Sequence, residues 1–399
     1  MLGWELPPHN SGGLGVACYH LSKALVKAGV DIDFVVPYSA KHDISHMRII
    51  SAMKIDPLMK WGGAYMSATV AEKNHEPRTK RAMSMRDVQK NYCKFIRRHL
   101  KKETPNAVHA HDWLTFEAGV IAKREFGLPF IAHVHATEFD RSGGRGNELV
   151  HEIEREALLC ADEIVAVSQL TKDVLVREYG IPADKVHVSY NGFDVAEYLD
   201  GYAYESDEYK YIEELKRRGY MVVGTVGRFT VQKGLGHMMR AAARAIAINP
   251  KMLFVLAGDG EQRDELLSLA AKLGISKNVV FTGFVRGKEH RDVYSLVDVF
   301  VMSSVSEPFG LTALEAAHHG DALILTKQSG VGEVIRNALK YDFWDEDRLA
   351  DDLVGLSKSP ALLASLREAA GREYTKISWK DVAKKCVEVY NRASKHKGK

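Results

Sequence analysis

Residues 307–315 read Glu307-Pro308-Phe309-Gly310-Leu311-Thr312-Ala313-Leu314-Glu315. They follow a strand-like apolar run at residues 298–304 and open a helix with apolar periodicity. The pattern predicts one carboxylate on a loop at the carboxyl end of a strand, where open α/β sheets bind ligands, and a second inside the next helix. Helix N-terminal amides attract phosphate, and carboxylates accept hydrogen bonds from hydroxyls. The stretch therefore predicts a site for a sugar nucleotide.

Size and composition indicate a large globular protein. At 399 residues the chain exceeds what one hydrophobic core usually supports, so we expect two domains of roughly 200 residues each. A net charge of +3, with 27% charged and 46% hydrophobic residues, argues against a disordered chain and a general nucleic-acid binder. No apolar run approaches the roughly 20 residues of a membrane span. The four cysteines lack disulfide or metal spacing, so we expect a soluble cytoplasmic protein.

Strand-like and helix-like segments alternate, which predicts parallel sheets. Residues 1–4 leave little room for a first strand, so we expect a slightly shortened start. We predict domains at residues 1–195 and 196–375, followed by a helical segment at 376–399. The predicted strands lie at residues 31–37, 108–111, 130–135, 163–168 and 185–190 in the first half, and at 221–227, 253–257, 279–284, 299–303 and 322–326 in the second.

A glycine loop, Asn10-Ser-Gly-Gly-Leu-Gly15, precedes the first predicted helix. Glycines let a backbone approach a phosphate or sugar closely at a helix start. A dinucleotide fingerprint is the rival interpretation, but Cys18 stands where its third glycine belongs and the strand at 31–37 ends without a carboxylate. A nicotinamide cofactor is therefore disfavoured.

Two cations, Arg228 and Lys233, follow the predicted strand at 221–227. Five residues apart at a strand end, they can reach one point in a binding site. Fixed cations stabilise the negative charge that develops on a diphosphate leaving group, and they do so without a metal. The other interpretation is a surface Arg and Lys beside a turn, which the strand-end position disfavours.

Four histidines lie at two strand ends: His109 and His111 on one, His133 and His135 on the next. Alternation along each strand puts both members of a pair on one face. Zinc is one interpretation. We favour hydrogen-bonded strand-end histidines, because no cysteine or further ligand lies at a spacing typical of zinc sites.

These motifs resemble those of retaining glycosyltransferases with the GT-B fold, most closely family 4 and its glycogen- and sucrose-synthase-like relatives. The resemblance rests on the Glu307-x7-Glu315 motif, on the glycine loop and on the string His135-Ala-Thr-Glu138, and it covers essentially the whole chain. It implies an α/β chain of two Rossmann-like, doubly wound parallel-sheet domains that face each other across a cleft. It also implies that the last helix, residues 379–393, packs back on the first domain.

The resemblance carries residue roles with it. The residues implied to act in catalysis are His135, Arg228, Lys233 and Glu307. Those implied to bind the donor are Gly13, Gly15, Asp259, Val285, Phe309, Gly310, Leu311, Thr312 and Glu315. Those implied on the acceptor side are Gly12, His111, Glu138 and Arg141, with no metal ligand among them.

The implied activity is transfer of a hexosyl group, glucosyl foremost, from a nucleoside diphosphate sugar to a hydroxyl of a glucan, sugar or other small acceptor. The anomeric configuration is retained, and neither metal nor cofactor is needed. A sugar-nucleotide 2-epimerase of the same fold is the main alternative. A glycoside hydrolase would need no phosphate-binding cations, and a non-catalytic sugar-binding subunit would have lost the charged residues.

Two further features bear on the acceptor and on the scaffold. Basic residues concentrate at residues 73–102 and from Lys380 onward, which allows peripheral contact with an anionic membrane and a lipid-directed acceptor. A solvated helix is the simpler interpretation of residues 86–102, with Val88, Tyr92, Phe95 and His99 facing inward. Residues 337–344 depart from the family pattern and are expected to run directly into a helix.

Overall fold

The computed structural model describes residues 1–9, 12–55, 84–144, 146–194 and 207–395. The chain forms two compact units: unit 1 comprises Met1–Gly192 with Ser378–Lys399, and unit 2 comprises Phe193–Ile377. Within these described ranges, no helix has both the length and the apolar character that crossing a membrane requires.

Unit 1 is an α/β unit. Its strands in the described ranges are β1 (Asp33–Val36), β2 (Arg48–Ser51), β3 (Val108–His111), β4 (Phe130–Val134), β5 (Glu163–Ala166) and β6 (Val186–Val188). Its helices up to residue 192 are α1 (Gly13–Lys27), α2 (Met85–Leu100), α3 (Trp113–Phe126), α4 (Glu138–Ser142), α5 (Glu148–Cys160) and α6 (Gln169–Tyr179).

The first residues of the chain hold the sheet of unit 1 together. β1 pairs with β2, and β3, β4, β5 and β6 pair in that order, all in parallel. Leu2 bridges both Val35 of β1 and Ala110 of β3, again in parallel. Its amide donates to the carbonyl of His109 at 2.8 Å. The short first segment thus occupies the place of a central strand.

Unit 2 contains a parallel sheet in the order β12-β11-β10-β7-β8-β9. Its described strands are β7 (Met221–Val226), β8 (Met252–Ala257), β9 (Val279–Gly283), β10 (Val299–Met302), β11 (Ala322–Thr326) and β12 (Leu339–Tyr341). Its described helices are α7 (Asp207–Arg217), α8 (Leu235–Ile248), α9 (Arg263–Lys272), α10 (Gly287–Leu296), α11 (Leu311–His319), α12 (Glu346–Lys358) and α13 (Pro360–Tyr374).

Parallel strands covered by helices are buried on both faces, which is why they read as continuous apolar runs. Every residue of β4 and of β8 is buried. In unit 2, Met238 and Met239 of α8 pack in one core with Phe254 of β8 and Val301 of β10. Each such side chain contributes about 1.5–3 kcal/mol through burial.

The final helix, α14 (Trp379–Lys395), belongs to unit 1. Val389 packs with Ile131 of β4 and Val165 of β5. Near the start of the helix, Gly192 lies so close that a Cβ on it would be 2.3 Å from the backbone nitrogen of Trp379. Helix α14 thus completes the core beside β4 and β5.

The structure corrects three details of the predicted elements. Residues 337–344 do not run directly into a helix, because they contain β12. β2 was not predicted at all, and its residues are only half-buried or exposed, so its apolar signal is weak. In α2, Phe95 and His99 are only half-buried, whereas Cys93 and Ile96 are buried. Residues 73–83 of the basic segment lie outside the described residues.

Glycines allow the loops that follow β7 and β8 to touch. Gly258 has a φ of +144°, and a Cβ on it would lie 1.8 Å from the carbonyl oxygen of Gly227. A Cβ on Gly260 would lie 2.5 Å from the carbonyl oxygen of Phe229. Only glycine fits such a close approach at a positive φ.

We expect Gly258→Ala to lower the free energy of unfolding by about 3 kcal/mol, because it adds both backbone strain and a steric clash. Gly355→Ala is the matched control. Gly355 is exposed inside α12 with open space around its Cα, so alanine there should raise stability by roughly 0.5–1 kcal/mol. Urea unfolding of the two variants measures both effects, and equal unfolding midpoints would contradict the prediction.

Candidate functional site

The strand order of unit 2 reverses between β7 and β10. From that point β8 and β9 extend the sheet in one direction, and β11 and β12 extend it in the other. In doubly wound sheets, ligands bind in the crevice outside the carboxyl ends of the strands at such a reversal. A pocket lies there. Among the residues that line it are Gly227, Arg228, Lys233, Ser303, Glu307 and Thr312.

An ion pair joins the two sides of this pocket. The Nζ of Lys233 lies 2.5 Å from the Oε2 of Glu307, and the Ser304 hydroxyl donates to the same oxygen at 3.1 Å. The two charged side chains are 27% and 12% exposed, so the pair is sheltered yet open to a ligand. A charged pair in this position can bind an anion on its cationic side and a hydroxyl on its anionic side.

Hydrogen bonds between the two loops fix this pair. The amide of Val305 donates to the carbonyl of Gln232 at 2.8 Å, and the Ser303 hydroxyl donates to the carbonyl of Lys233 at 2.8 Å. Arg228 follows β7 directly and is exposed at the same pocket. The structure therefore brings together Arg228, Lys233 and Glu307, which the sequence predicted as catalytic.

The helix N-terminus predicted from residues 307–315 is present. Gly310 caps α11 with a φ of +108°, and a Cβ on it would lie 2.8 Å from the sulfur of Met302. Phe309 is buried, and its carbonyl accepts the amide of Val331 at 2.7 Å. Leu311 opens the helix, and Thr312 in its first turn lines the pocket. The amides at this helix N-terminus favour a bound anion.

Glu315 lies one turn further along α11. Its Oε2 accepts a hydrogen bond from the hydroxyl of Tyr294 at 2.7 Å, and the Nε2 of His290 lies 3.7 Å away. Tyr294 is fully buried, so it holds the carboxylate in a fixed orientation. Tyr294 lies in a different helix from Glu315, so no sequence motif predicted it as a positioning residue.

Asp259 and Val285, the remaining predicted donor residues of unit 2, follow β8 and β9. The Asp259 side chain is exposed, and its Oδ1 accepts the amide of Gly260 at 2.9 Å. Val285 is buried, while its neighbour Phe284 is 58% exposed beneath the guanidinium of Arg286. Both loops lie at the same edge of the sheet as the pocket.

Unit 1 has a reversal of its own, between the Leu2 segment and β3. Of the glycine loop, Asn10 and Ser11 lie outside the described residues. The amide of Gly12 donates to the Oε2 of Glu5 at 3.0 Å. A Cβ on Gly15 would lie 3.2 Å from the Cβ of Glu5, whereas a Cβ on Gly13 would meet open space. The absence of a side chain at Gly15 thus permits close packing against Glu5, whereas the space beside the Cα of Gly13 is open. Glu5, which is buried, was missed in the sequence.

The four histidines form one buried cluster at the end of β3 and β4. His111 Nδ1 lies 3.0 Å from His135 Nε2, and His109 Nε2 lies 3.2 Å from His133 Nδ1. The rings of His133 and His135 stack with centroids 4.2 Å apart. His109 also bonds the hydroxyl of Tyr390 in α14 at 2.7 Å.

Burial keeps these imidazoles neutral. It lowers the pKa of His109, His111 and His133 well below the ordinary value and lowers that of His135 to about 3. The cause is the cost of removing a charged ring from water, to which the other histidines add repulsion for the first three. Neutral imidazoles can donate or accept a hydrogen bond and can ligate metals.

Asp112 holds the backbone of the predicted catalytic histidine. Its Oδ1 accepts the amide of His135 at 2.7 Å, and its own φ is +58°. Burial raises its pKa to about 7, although the positive charge of Arg141 works against the increase. Oδ2 has no hydrogen-bond partner within the described part of the chain.

Glu138 and Arg141, predicted on the acceptor side, lie in a buried network. Arg141 Nη2 is 2.5 Å from Glu154, and the Glu138 amide donates to both oxygens of Glu154. Burial raises the pKa of Glu154 to about 7. With side-chain exposures of 5% and 3%, Arg141 and Glu138 stabilise the loop after His135. Their role towards an acceptor stays a prediction.

Two Rossmann-like units, each carrying charged or polar groups where its strand order reverses, are the GT-B arrangement. Residues 11–197 match the family Glycosyltransferase Family 4, and residues 208–373 match Glycosyl transferases group 1. The sucrose-phosphate synthase from Thermosynechococcus elongatus has the same fold, with a TM-score of 0.76 at 19% identity over 98% of this chain and 97% of that one.

Relatives agree with this fold class. A glycogen synthase of Mycobacterium tuberculosis is 26% identical over 98% of this chain and 93% of its own length. A D-inositol 3-phosphate glycosyltransferase of Rhodococcus opacus is 31% identical over 78% of this chain and 74% of its own. The chain belongs to the family 4 glycosyltransferases with the GT-B fold, which confirms the resemblance found in the sequence.

The buried ionisable groups of unit 1 make its stability depend on pH. The unfolded chain takes up protons on four histidines below their ordinary pKa near 6.5, whereas folded Asp112 and Glu154 retain two protons up to their pKa of about 7. The histidines favour the folded state at high pH and the carboxyls favour it at low pH. Because the four histidines outweigh the two carboxyl groups, acidification lowers the free energy of unfolding on balance.

We therefore expect the free energy of unfolding of unit 1 to fall by on the order of 2 kcal/mol between pH 7 and pH 5. This free energy is measured at each pH by urea titration. Unfolding is followed by hydrogen exchange of peptides from β3 and β4, with rates corrected for intrinsic exchange. NMR of protein labelled at histidine nitrogen should show four imidazoles that stay neutral over this range, with free histidine as reference. Stability that rises on acidification would contradict the prediction.

Proposed function

We propose that this glycosyltransferase moves a hexosyl group, glucosyl foremost, from a nucleoside diphosphate sugar to a hydroxyl of a glucan or small sugar, with retention and without a metal. The observation that carries the proposal is the Lys233–Glu307 ion pair beside Arg228 in the pocket of unit 2. The cations suit a diphosphate, and the carboxylate suits the hydroxyls of the transferred sugar.

The chemistry of the donor assigns a task to each group. Cleavage of the bond between the anomeric carbon and the phosphate oxygen leaves charge on the diphosphate. Arg228, Lys233 and the first-turn amides of α11 stabilise that charge as fixed donors, by the logic of an oxyanion hole. Because two side chains and a helix terminus supply positive charge, a divalent cation is not needed. Glu315, held by Tyr294, accepts hydrogen bonds from the ribose hydroxyls.

Retention follows from attack on the face that the leaving group occupies. The acceptor oxygen bonds to the anomeric carbon as the bond to the phosphate oxygen breaks, and the acceptor proton passes to that phosphate oxygen. No protein nucleophile is required, and Glu307 stays an ion-pair partner and a hydrogen-bond acceptor. In unit 1, neutral His135 provides a hydrogen bond to a sugar hydroxyl without adding charge.

The named relatives support a carbohydrate acceptor without choosing one. One is a glycogen synthase and another is a D-inositol 3-phosphate glycosyltransferase, so both a glucan and a small polyol phosphate are candidates. The four free thiols suit a reducing, cytoplasmic setting. A 2-epimerase would use the same cations but would consume no acceptor, and its product would be an epimerised nucleotide sugar.

We expect Lys233→Ala to lower kcat roughly 100-fold or more, because it removes one fixed cation from the developing charge of the leaving group. Lys327→Ala is the matched control, since Lys327 also pairs with a carboxylate, Asp342, but is 56% exposed and outside the pocket. Nucleotide release in the presence of acceptor is the readout. Equal rates for the two variants would exclude the assignment of Lys233.

The donor and acceptor are identified by one sequence of measurements. A thermal-shift panel of UDP, ADP, GDP and NAD selects the nucleotide, and its glucose conjugate is then incubated with and without maltooligosaccharide in the presence of chelator. We expect one diphosphate to stabilise the protein, release to increase with the glucan, and NMR to show the donor's anomeric configuration in the product. An epimerised nucleotide sugar formed without acceptor would favour the epimerase, and loss of activity in chelator would overturn metal independence.

A further inference from the structure

Cys18 completes a set of ligands that the linear sequence does not display. It lies in α1, ninety-three positions before His111, and is fully buried. The Sγ of Cys18 and one ring nitrogen each of His111 and His135 lie within 4.8 Å of one another. We propose that Cys18, His111 and His135 form a binding site for a thiophilic borderline metal ion, Zn²⁺ foremost, and that its occupation inhibits transfer.

The geometry is close to what the ion requires. Zinc bonds of about 2.0–2.1 Å to nitrogen and about 2.3 Å to sulfur place tetrahedral ligands roughly 3.3–3.7 Å apart. His111 Nδ1 and His135 Nε2 are already 3.0 Å apart, so an ion can take the place of the proton between them with little movement. The Sγ of Cys18 already lies within 4.8 Å of one nitrogen of each ring.

The surroundings also favour an ion. Asp112 Oδ2 is buried without a hydrogen-bond partner in the described ranges. Its residue is completely buried, and an unpaired buried polar atom is costly. A bound cation would be offset by the thiolate and by the adjacent carboxyl group. The fourth position is left to water or another ligand, because these elements supply three ligands.

The protons balance simply. The Cys18 thiol loses its proton to water as the sulfur–metal bond forms. The imidazole proton between His111 and His135 moves to the remaining nitrogen of the ring that carried it, so both rings stay neutral. Occupation of the site is thus favoured by higher pH.

Inhibition rests on the proposed function, because it requires His135 to act on the sugar. A histidine whose lone pair is bound to an ion no longer accepts a hydrogen bond there, and its ring is held by the other ligands. The ion is therefore a competitor of catalysis rather than a cofactor, consistent with the transfer expected in the presence of chelator.

Cobalt substitution tests the site in the full-length chain, because a thiolate ligand gives Co²⁺ a charge-transfer absorption in the near ultraviolet. We expect one equivalent of Co²⁺ to bind with this absorption. Cys18→Ala should abolish the absorption and weaken binding about 100-fold, while Cys386→Ala should keep both. Cys386 is equally buried in unit 1, and it belongs to none of the ligand groups found among the described residues.

X-ray absorption of the zinc-loaded wild type needs no variant. One sulfur at about 2.3 Å and nitrogens at about 2.0 Å support the site. Nitrogens alone would overturn it in favour of His109, His111 and His133, whose ring nitrogens also lie within 4.8 Å of one another. Absence of binding, or an absorption that survives in Cys18→Ala, would overturn it as well.

The inhibition is measured separately, as each protein's rate with Zn²⁺ divided by its own metal-free rate. We expect wild type and Cys386→Ala to lose at least about tenfold in rate at saturating Zn²⁺, and Cys18→Ala to resist at the same concentration. Equal inhibition of all three would overturn the regulatory part. Absence of transfer by metal-free wild type would overturn the proposed function instead, and the cobalt and X-ray results would still decide the site.

Discussion

The parallel pairing of β7 with β10 is the constraint on which the donor pocket depends. These strands are neighbours in the sheet although more than seventy residues separate them in the chain. Their adjacency puts the loop bearing Lys233 beside the loop bearing Glu307, and backbone hydrogen bonds then fix the two loops to each other. The ion pair is a consequence of topology. Any sequence that preserves this strand order has two loops with which to bind a ligand from both sides.

Unit 1 uses its own reversal differently, by burying polar groups rather than exposing charges. Four imidazoles, Asp112 and the network around Glu154 are all removed from water, which costs free energy unless hydrogen bonds replace the solvent. Most of these atoms are paired, and among the described residues the exceptions lie on His111, Asp112 and His133. These unpaired atoms lower the stability of unit 1. In return, the region holds neutral hydrogen-bond donors and acceptors in fixed positions, as is common in preorganised ligand sites.

Much of the fold was predictable from local patterns, and the site only partly. Strands such as β11 were found because buried parallel strands read as unbroken apolar runs, while β12, with three residues, carries too little signal. Lys233 and Glu307 were identified one by one from position at strand ends. Three contacts were not predictable in this way: the ion pair between these two residues, the hydrogen bond from Tyr294 to Glu315, and the proximity of Cys18 to His111. They arise from packing between residues far apart in the chain, which no short sequence window contains.

The position of α14 in the chain determines when unit 1 can be completed during synthesis. Unit 1 draws on the first and the last residues of the chain, with all of unit 2 between them. During synthesis from the N-terminus, the sheet of unit 1 emerges long before the helix that covers β4 and β5 and whose Tyr390 bonds His109. Until α14 has emerged from the ribosome, that face has no native cover. In the nascent chain, the hydrophobic face of β4 and β5 therefore stays without its native cover while the whole of unit 2 is made.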